Sequence, residues 1–539
     1  WVFAFIALAL ITLPLPNIGG VGLDLPYNAV VWLILTIGAL LIANRTTSLE
    51  IKSNRFDWYL GLALLSLVLP LAITDSHFSG NIKLLGVLGG LVFFVILLAL
   101  ETPTSTILYL LILISAAHTI LGFLQLCGVQ ALPWGGPLEL GARPVGGFQQ
   151  PNLLASNLCT GIAASLAVLR TSRSPSDMPN HHPQALIFIC YVMLLLSSSL
   201  ILLTASRTGW LSITGVVLVF CFIRWDSGNQ QKWLSMLLVT LGIIGGIATL
   251  LLIETLTPLV TAKTNIHSAR WEFYPQVVKV IEANLPWGCG YGYFESCYVS
   301  AFIDETEGPQ KITSGLMHPH NELLYWTAEA GIIGLLSITA FICIAIFGLA
   351  RHPLANRLTL TALAIPTIIH SSLEYPLLTS SVHWLTLISL VYLILSSTPR
   401  CRTIQINTVK SRFIATVIAS CTAFFLIHSI WTNFVLWRLH KDFAQSAWLI
   451  KYVGHPILLK QSFDFELNRH FFNHGVLAGE KFSAELFAQW AEVQIRRTPR
   501  KELYWGYVKA LTVLGRRVEA ETIRKQGEAV YGTLAPPQS

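Results

Sequence analysis

The sequence predicts an all-α protein that crosses a membrane many times, with one long polar loop between apolar runs and a small helical domain at its C-terminal end. Three observations carry that reading. Hydrophobic residues make up 53% of the chain and charged residues only 12%, with a mean hydropathy of +0.61. Soluble domains carry about 25% charged residues, and a water-soluble core cannot absorb this much apolar sequence. The apolar residues gather into about thirteen runs able to span a hydrocarbon core of ~30 Å. Lysine and arginine also alternate in density: Arg45, Lys52, Arg55, Arg170, Arg351 and Arg357 lie in one set of connections, while the short loops of the other set hold only Lys83, Arg143 and Arg207. Basic residues concentrate on the cytoplasmic side, so the first set is expected there and the second outside.

In order, the runs are expected near 3–15, 27–43, 58–73, 84–100, 106–127, 152–169, 185–204, 210–223, 233–256, 323–349, 358–371, 380–396 and 413–436. The chain opens at Trp1 and is apolar at once, so Phe3 to Leu13 reads as part of a first membrane helix behind a trimmed N-terminus, not as a signal peptide. Residues 1–256 and 323–436 are then two sets of transmembrane helices, 257–322 a catalytic loop on the outer face, and 437–539 the C-terminal domain. An odd number of spans exports that domain, in which Phe482, Leu486, Phe487, Trp490 and Val493 recur at helical spacing.

Composition also excludes functions. The formal net charge of +7 is spread between apolar runs and forms no patch, which argues against nucleic acid as a partner. The nine cysteines include no CxxC pair, so no zinc centre is expected, and no cofactor is expected either. Cys289 and Cys297 are spaced so that a disulfide is one option. Polar groups at the edge of a bilayer are costly and mark function, and here they recur at the outer ends of the runs.

Arg143-Pro144-Val145-Gly146-Gly147-Phe148-Gln149-Gln150-Pro151-Asn152 precedes one run. Glycines let backbone approach a ligand, Pro151 stiffens a helix entry and Asn152 suits its cap; a connector has no use for Gln149 and Gln150. Arg207, between two runs with almost no loop, either snorkels to lipid headgroups or offers its guanidinium fork to phosphate oxygens. In the long loop, Arg270-Trp271 precedes Pro286-Trp287-Gly288-Cys289-Gly290-Tyr291-Gly292-Tyr293-Phe294. These glycines lack the strand-to-helix context of a dinucleotide site, so the run reads as a tight aromatic turn that stacks on sugar rings or packs the loop onto the bundle. His318-Pro319-His320-Asn321-Glu322 is not spaced as a zinc pair. A neutral imidazole there is suited to take a proton from a hydroxyl. Pro319 disfavours helix at His318, so a helix is expected to start near His320 or Asn321. His370, Glu374 and Tyr375 share one outer turn, with capping as the alternative role for Glu374.

Together GGFQQPNLLA (146–155), SRTGW around Arg207, Arg270-Trp271 with PWGCGYGYF, the HPHNELL segment with its following glutamate and glycines (318–334) and HSSLEYPL (370–377) resemble the motifs of the O-antigen ligase and polymerase superfamily. More narrowly they resemble the PglL-like bacterial O-oligosaccharyltransferases, which glycosylate pilins and other exported proteins. The resemblance implies a GT-C-type glycosyltransferase fold in the bacterial inner membrane with its site facing the periplasm. It implies metal-independent, inverting transfer of an oligosaccharide from undecaprenyl diphosphate to Ser or Thr hydroxyls of a pilin-like acceptor. The essential histidine maps to His320, with His318 as the alternative; the phosphate-binding arginines map to Arg207 and Arg270, the glutamine to Gln150 and the outer-turn tyrosine to Tyr375. Arg143, Asn152, Asn321, Glu322 and Glu374 complete the candidate substrate-binding set, with Glu322 or Glu374 orienting the histidine. A lipopolysaccharide O-antigen ligase or an O-antigen polymerase would use the same site with another acceptor. A transporter or flippase would need paired, interrupted helices at mid-membrane, and the two halves of the sequence show none.

Overall fold

The computed structural model describes residues 15–45, 49–76, 78–128, 143–172, 182–256, 270–303, 316–406 and 408–534; but for residue 15, the run expected at 3–15 lies outside them. The membrane part opens with α1 (Pro26–Arg45), α2 (Arg55–Ser66), α3 (Phe78–Ala99), α4 (Thr104–Leu126), α5 (Pro151–Thr171), α6 (Gln184–Leu203), α7 (Arg207–Phe222) and α8 (Asn229–Leu256). The long loop holds α9 (Arg270–Asn284) and α10 (Phe294–Ile303). Then come α11 (Glu322–Leu349), α12 (Leu354–Leu373), the single turn α13 (Pro376–Thr379), α14 (Ser381–Leu395) and α15 (Thr408–Lys441). The C-terminal region adds α16 (Phe443–Ser446), α17 (Ile450–Val453), α18 (Lys460–His470), α19 (Lys481–Gln494), α20 (Lys501–Val513) and α21 (Arg517–Tyr531).

Among the described residues eight helices are long and apolar enough to cross a membrane, and three apolar helices are shorter; the chain is an all-α polytopic membrane protein. The expected runs at 210–223 and 380–396 are two of the shorter helices, and the run at 358–371 lies in α12, which is not among the eight. One element departs from the all-α expectation: β1 (Leu49–Ser53) pairs antiparallel with β2 (Arg402–Ile406), Leu49 opposite Ile406 and Ser53 opposite Arg402. Five residues of alternation do not stand out beside membrane-length runs.

The chain divides into two compact units, each discontinuous in sequence. The first takes in Trp1–Leu64, Gly86–His267 and Ala340–Ile430. At its centre is α5, with 94% of its apolar stretch buried and α4, α6, α7 and α12 packed around it. Small residues let these helices approach closely: a Cβ added at Gly161 would come within 2.3 Å of the Ser115 Cβ. Side chains at the start of α5 are therefore held by a rigid rod.

The second unit takes in Leu65–Leu85, Ser268–Thr339 and Trp431–Ser539. The long loop has its own core of Phe273, Val277, Val280, Phe294 and Tyr298, closed by Ala328 of α11. The glycine-rich run serves packing, not sugar stacking by its buried rings: Tyr291 and Phe294 are fully buried, and the Tyr291 hydroxyl donates to the Leu67 carbonyl at 2.5 Å. α11 kinks at Gly331 (φ 58°, ψ −143°), where a Cβ on Gly288 would meet the Gly331 nitrogen at 2.4 Å. Backbone bonds from Cys289 to Ala328 (2.8 Å), Gly290 to Glu329 (2.9 Å) and Ile332 to Pro286 (2.9 Å) stitch the turn into that kink. Lys83, expected in a loop, instead stands inside α3 and pairs with the buried Glu329 carboxylate. The rings of Tyr325, Tyr291 and Trp326 surround its ammonium at 4.6, 4.7 and 5.0 Å.

The C-terminal helices share a core of Ala484, Phe487, Ala488, Ala491, Tyr507, Ala510 and Leu511. This corrects the expected stripe, since Phe482 and Val493 are exposed. The Arg500 guanidinium forks onto Glu295 of α10 at 2.7 and 3.0 Å. Burial works against that cation, and the Glu295 carboxylate more than offsets it, holding Arg500 above its usual range.

Candidate active site

In the first unit Gln150 and Asn152 meet at one carboxylate, that of Glu374. α5 starts at Pro151, whose missing N–H costs nothing at the first helical position; Gln150 takes the cap position with no side-chain cap bond. Asn152, expected as the cap, lies one residue further in. Its Nδ2 donates to Glu374 Oε1 at 2.6 Å and its Oδ1 accepts from Ser206 Oγ at 2.7 Å. Gln150 Nε2 donates to Glu374 Oε2 at 2.7 Å. Glu374 therefore does not spend its side chain as a cap; it holds two amides from a separate helix. Charge-assisted bonds of this length are the stronger class.

Behind the carboxylate runs a buried polar chain. His370 Nε2 stands 3.6 Å from Glu374 Oε2, and His370 Nδ1 is 2.8 Å from Ser156 Oγ. Ser156 Oγ is 2.9 Å from His383 Nε2, and His383 Nδ1 is 2.9 Å from Ser380 Oγ. All four of these side chains are buried. The single Ser156 hydroxyl proton also has the Leu153 carbonyl as an acceptor, at 3.2 Å.

Ser206 caps α7, accepting from the Gly209 N–H at 3.2 Å, and Arg207 is the first helical residue, exposed between buried neighbours. A guanidinium at a helix N-terminus is an anion-binding arrangement. Arg143 donates to the carbonyls of Thr204 (2.6 Å) and Ala205 (3.4 Å), pinning the turn into α7. Burial pushes its guanidinium down from the usual range, while the Glu374 carboxylate acts the other way. Tyr375 is half-buried at the cap position of α13.

In the second unit the two imidazoles of the HPHN segment lie 4.3 Å apart. α11 starts at Glu322, slightly later than expected, because Asn321 is its cap: the Asn321 Oδ1 accepts from the Leu324 N–H at 3.0 Å. His320 thus precedes the helix. The Tyr274 hydroxyl donates to its carbonyl at 3.2 Å and the Phe273 ring is 5.8 Å away. Glu322 is buried in the first turn. Arg270 opens α9, and its side chain lies outside the described residues. Cys289 and Cys297 carry free thiols; they share a hydrogen bond that raises Cys289 and lowers Cys297.

Among the described residues four non-glycine positions have positive φ: Glu101, Gln149 (58°), Ala205 (47°) and His320 (48°). Three of these four fall in the Gln150, Arg207 and His320 segments. A left-handed backbone on a residue with a side chain costs about 1–3 kcal/mol and persists where surrounding structure over-determines it, often at functional sites.

Sequence reasoning missed Ser156, Ser206 and His383. Ser156 carried one signal, its i+4 spacing from Asn152, which puts both on one face of α5. Arg207 and Glu374 belong to the first unit and His318 and His320 to the second.

Residues 192–339, which hold Arg207, Arg270 and the HPHN segment, match the family model described as O-Antigen ligase. Residues 358–538, which hold His370, Glu374, Tyr375 and the C-terminal helices, match the one described as Virulence factor membrane-bound polymerase, C-terminal. No curated protein matches the chain. The two matched regions between them contain Arg207, Arg270, His318, His320, His370 and Glu374, and the chain belongs to the O-antigen ligase and polymerase superfamily of multi-pass membrane enzymes.

Proposed function

We propose that the protein transfers an oligosaccharide en bloc from undecaprenyl diphosphate to Ser or Thr hydroxyls of exported, pilin-like proteins at the periplasmic face of the inner membrane. The observation that carries this reading is the left-handed backbone at Gln149, Ala205 and His320, which sets strain into the three segments where donor and acceptor chemistry is needed. Arg207 and Arg270 bind the diphosphate and stabilise charge on the leaving oxygen, an electrostatic role of the kind that dominates many enzymes. His320, with His318 as the alternative, takes the hydroxyl proton. The acceptor oxygen bonds to the anomeric carbon as the bond from that carbon to the diphosphate breaks, and the electron pair leaves on undecaprenyl diphosphate with inversion. Gln150, Asn152, Asn321 and Tyr375 contact substrate; Glu374 positions two of them and Glu322 orients the histidine.

A second reading, elongation of a lipid-linked glycan, is favoured by the polymerase description of the family that matches 358–538. Reconstituted protein supplied with lipid-linked oligosaccharide and a pilin-like protein, a lipopolysaccharide core, or neither decides between them. Glycan on the protein is expected; glycan on the core, or longer chains on the carrier, would replace the proposal. His320→Ala should fold, insert and lose transfer, and full activity in that variant would remove the base assignment.

A further inference from the structure

We infer that residues 431–460, where the last membrane helix gives way to the C-terminal helices, form an interfacial anchor that lies in the headgroup layer and binds anionic phospholipid. α15 is the least buried of the eight long apolar helices, with only 11% of its apolar stretch covered by the rest of the protein. Toward its end aromatic rings take over from aliphatic side chains. Trp431, Phe434 and Trp437, three residues apart and so on one side of the helix, have ring centroids 5.6 and 6.0 Å apart in succession. Arg438, His440 and Lys441 follow in the last turn. Aromatic rings followed by basic groups mark the level where hydrocarbon meets headgroups.

The same chemistry continues past the helix. On the short helical turns that follow, Leu449 and Val453 face inward and are buried, while Trp448 (59% exposed) and Tyr452 (57% exposed) face out. Their rings are 5.8 Å apart, so they make one patch, and the Lys451 ammonium stands 4.9 Å from the Tyr452 ring centroid. Two large aromatic rings side by side in water are unusual unless something covers them. Three facts select the bilayer as the cover. The patch begins seven residues after Lys441, a reach of at most about 25 Å even for an extended chain. It continues the chemistry of a helix whose apolar residues already face lipid. And the segment carries Arg438, Lys441 and Lys451 against Asp442 as its one acid, with Lys460 paired to Asp464 just beyond it at 2.7 Å, the balance that attracts an anionic surface. The inference does not depend on the reaction proposed above.

The test places a photoreactive benzoylphenylalanine at Trp448 or at Tyr452 of the full chain. The protein is reconstituted in phosphatidylcholine vesicles with and without phosphatidylglycerol, and adducts are read by mass spectrometry. Val518, exposed on α21, is the comparison position. Phospholipid adducts are expected at 448 and 452 well above those at 518, with phosphatidylglycerol enriched over its share of the bilayer. Lys441→Gln and Lys451→Gln should each lower that enrichment by about fivefold, the equivalent of ~1 kcal/mol per basic residue at an anionic surface. Adducts to protein alone, equal lipid adducts at 518, or no preference for phosphatidylglycerol would overturn the inference.

Discussion

Replacing Glu374 with Gln tests whether the carboxylate hub serves catalysis or only stability. The wild-type side chain accepts from Gln150 at 2.7 Å and from Asn152 at 2.6 Å. Hydrogen bonds to a charged group contribute about 1.5–3 kcal/mol each. Gln is nearly isosteric but keeps one acceptor oxygen and sets an NH2 against the second amide, so one bond is lost and a donor faces a donor, at about 2–4 kcal/mol. If Gln150 and Asn152 must be held in place as the transition state forms, that cost appears in kcat/KM as a fall of roughly 30- to 1000-fold. If the hub is only structural, the loss appears in thermal stability, and kcat/KM per folded molecule stays at the wild-type value. The assay measures glycan transfer against lipid-linked donor concentration in proteoliposomes, alongside thermal unfolding in detergent. Asn152→Ala made on top of Glu374→Gln should add little, because both remove one network. A Glu374→Gln enzyme within about threefold of wild type in kcat/KM, less than ~0.7 kcal/mol, would refute the positioning role.

Two further outcomes test the second unit. Lys83→Met or Glu329→Gln alone leaves a buried charge without its partner and should cost about 3–5 kcal/mol, whereas the double variant should recover much of that loss; additive losses in thermal unfolding would show that the two groups do not act as a pair. His470 lies on the Phe443 ring with centroids 3.5 Å apart, and burial, with the neighbouring His474 and Arg469, holds its pKa below the ordinary 6.5. The unfolded chain therefore binds the proton first. Stability of the C-terminal helices should be flat above that value and fall as pH drops through 6.5 toward the lower folded value. A scan between about pH 5 and 8 reads this, and His470→Gln should remove that part of the slope.

Much of this protein is legible in its sequence because membrane placement is a local property. A run of twenty apolar residues declares a helix whatever it packs against, and the expected runs from 27–43 onward all fall on helices. Gln150 was legible for a related reason, as a polar residue that a connector does not need. What failed in each case was the identity of a distant partner. Lys83 read as a loop cation because an unpaired charge has no place in an apolar run; its carboxylate, Glu329, lies far along the chain. Asn152 read as a cap because that role is satisfied locally, whereas Glu374 claims its amide from another helix. In α19 the large residues Phe482 and Val493 dominated the hydropathy pattern. Tight helix contact instead selected Ala484, Ala488 and Ala491 around Phe487, because closeness depends on small side chains more than on apolar ones.

The strained positions make the same argument from the backbone. Glycine is the sequence signal for left-handed conformation, and it points correctly to Gly146, Gly288 and Gly331, where backbone turns or meets backbone. At Gln149, Ala205 and His320 the conformation is the one glycine would adopt more cheaply, yet each position keeps its side chain. Glycine at 320 would relieve about 1–3 kcal/mol of strain and remove the imidazole proposed to take the proton. At Ala205, whose methyl carries no polar group, the surrounding fold holds the backbone, and the carbonyl accepts from Arg143 at 3.4 Å; at His320 the same strain falls on a side chain that the proposed chemistry uses. No propensity scale can read this, because the cost is visible at the residue while the compensation is spread through the packed unit around it.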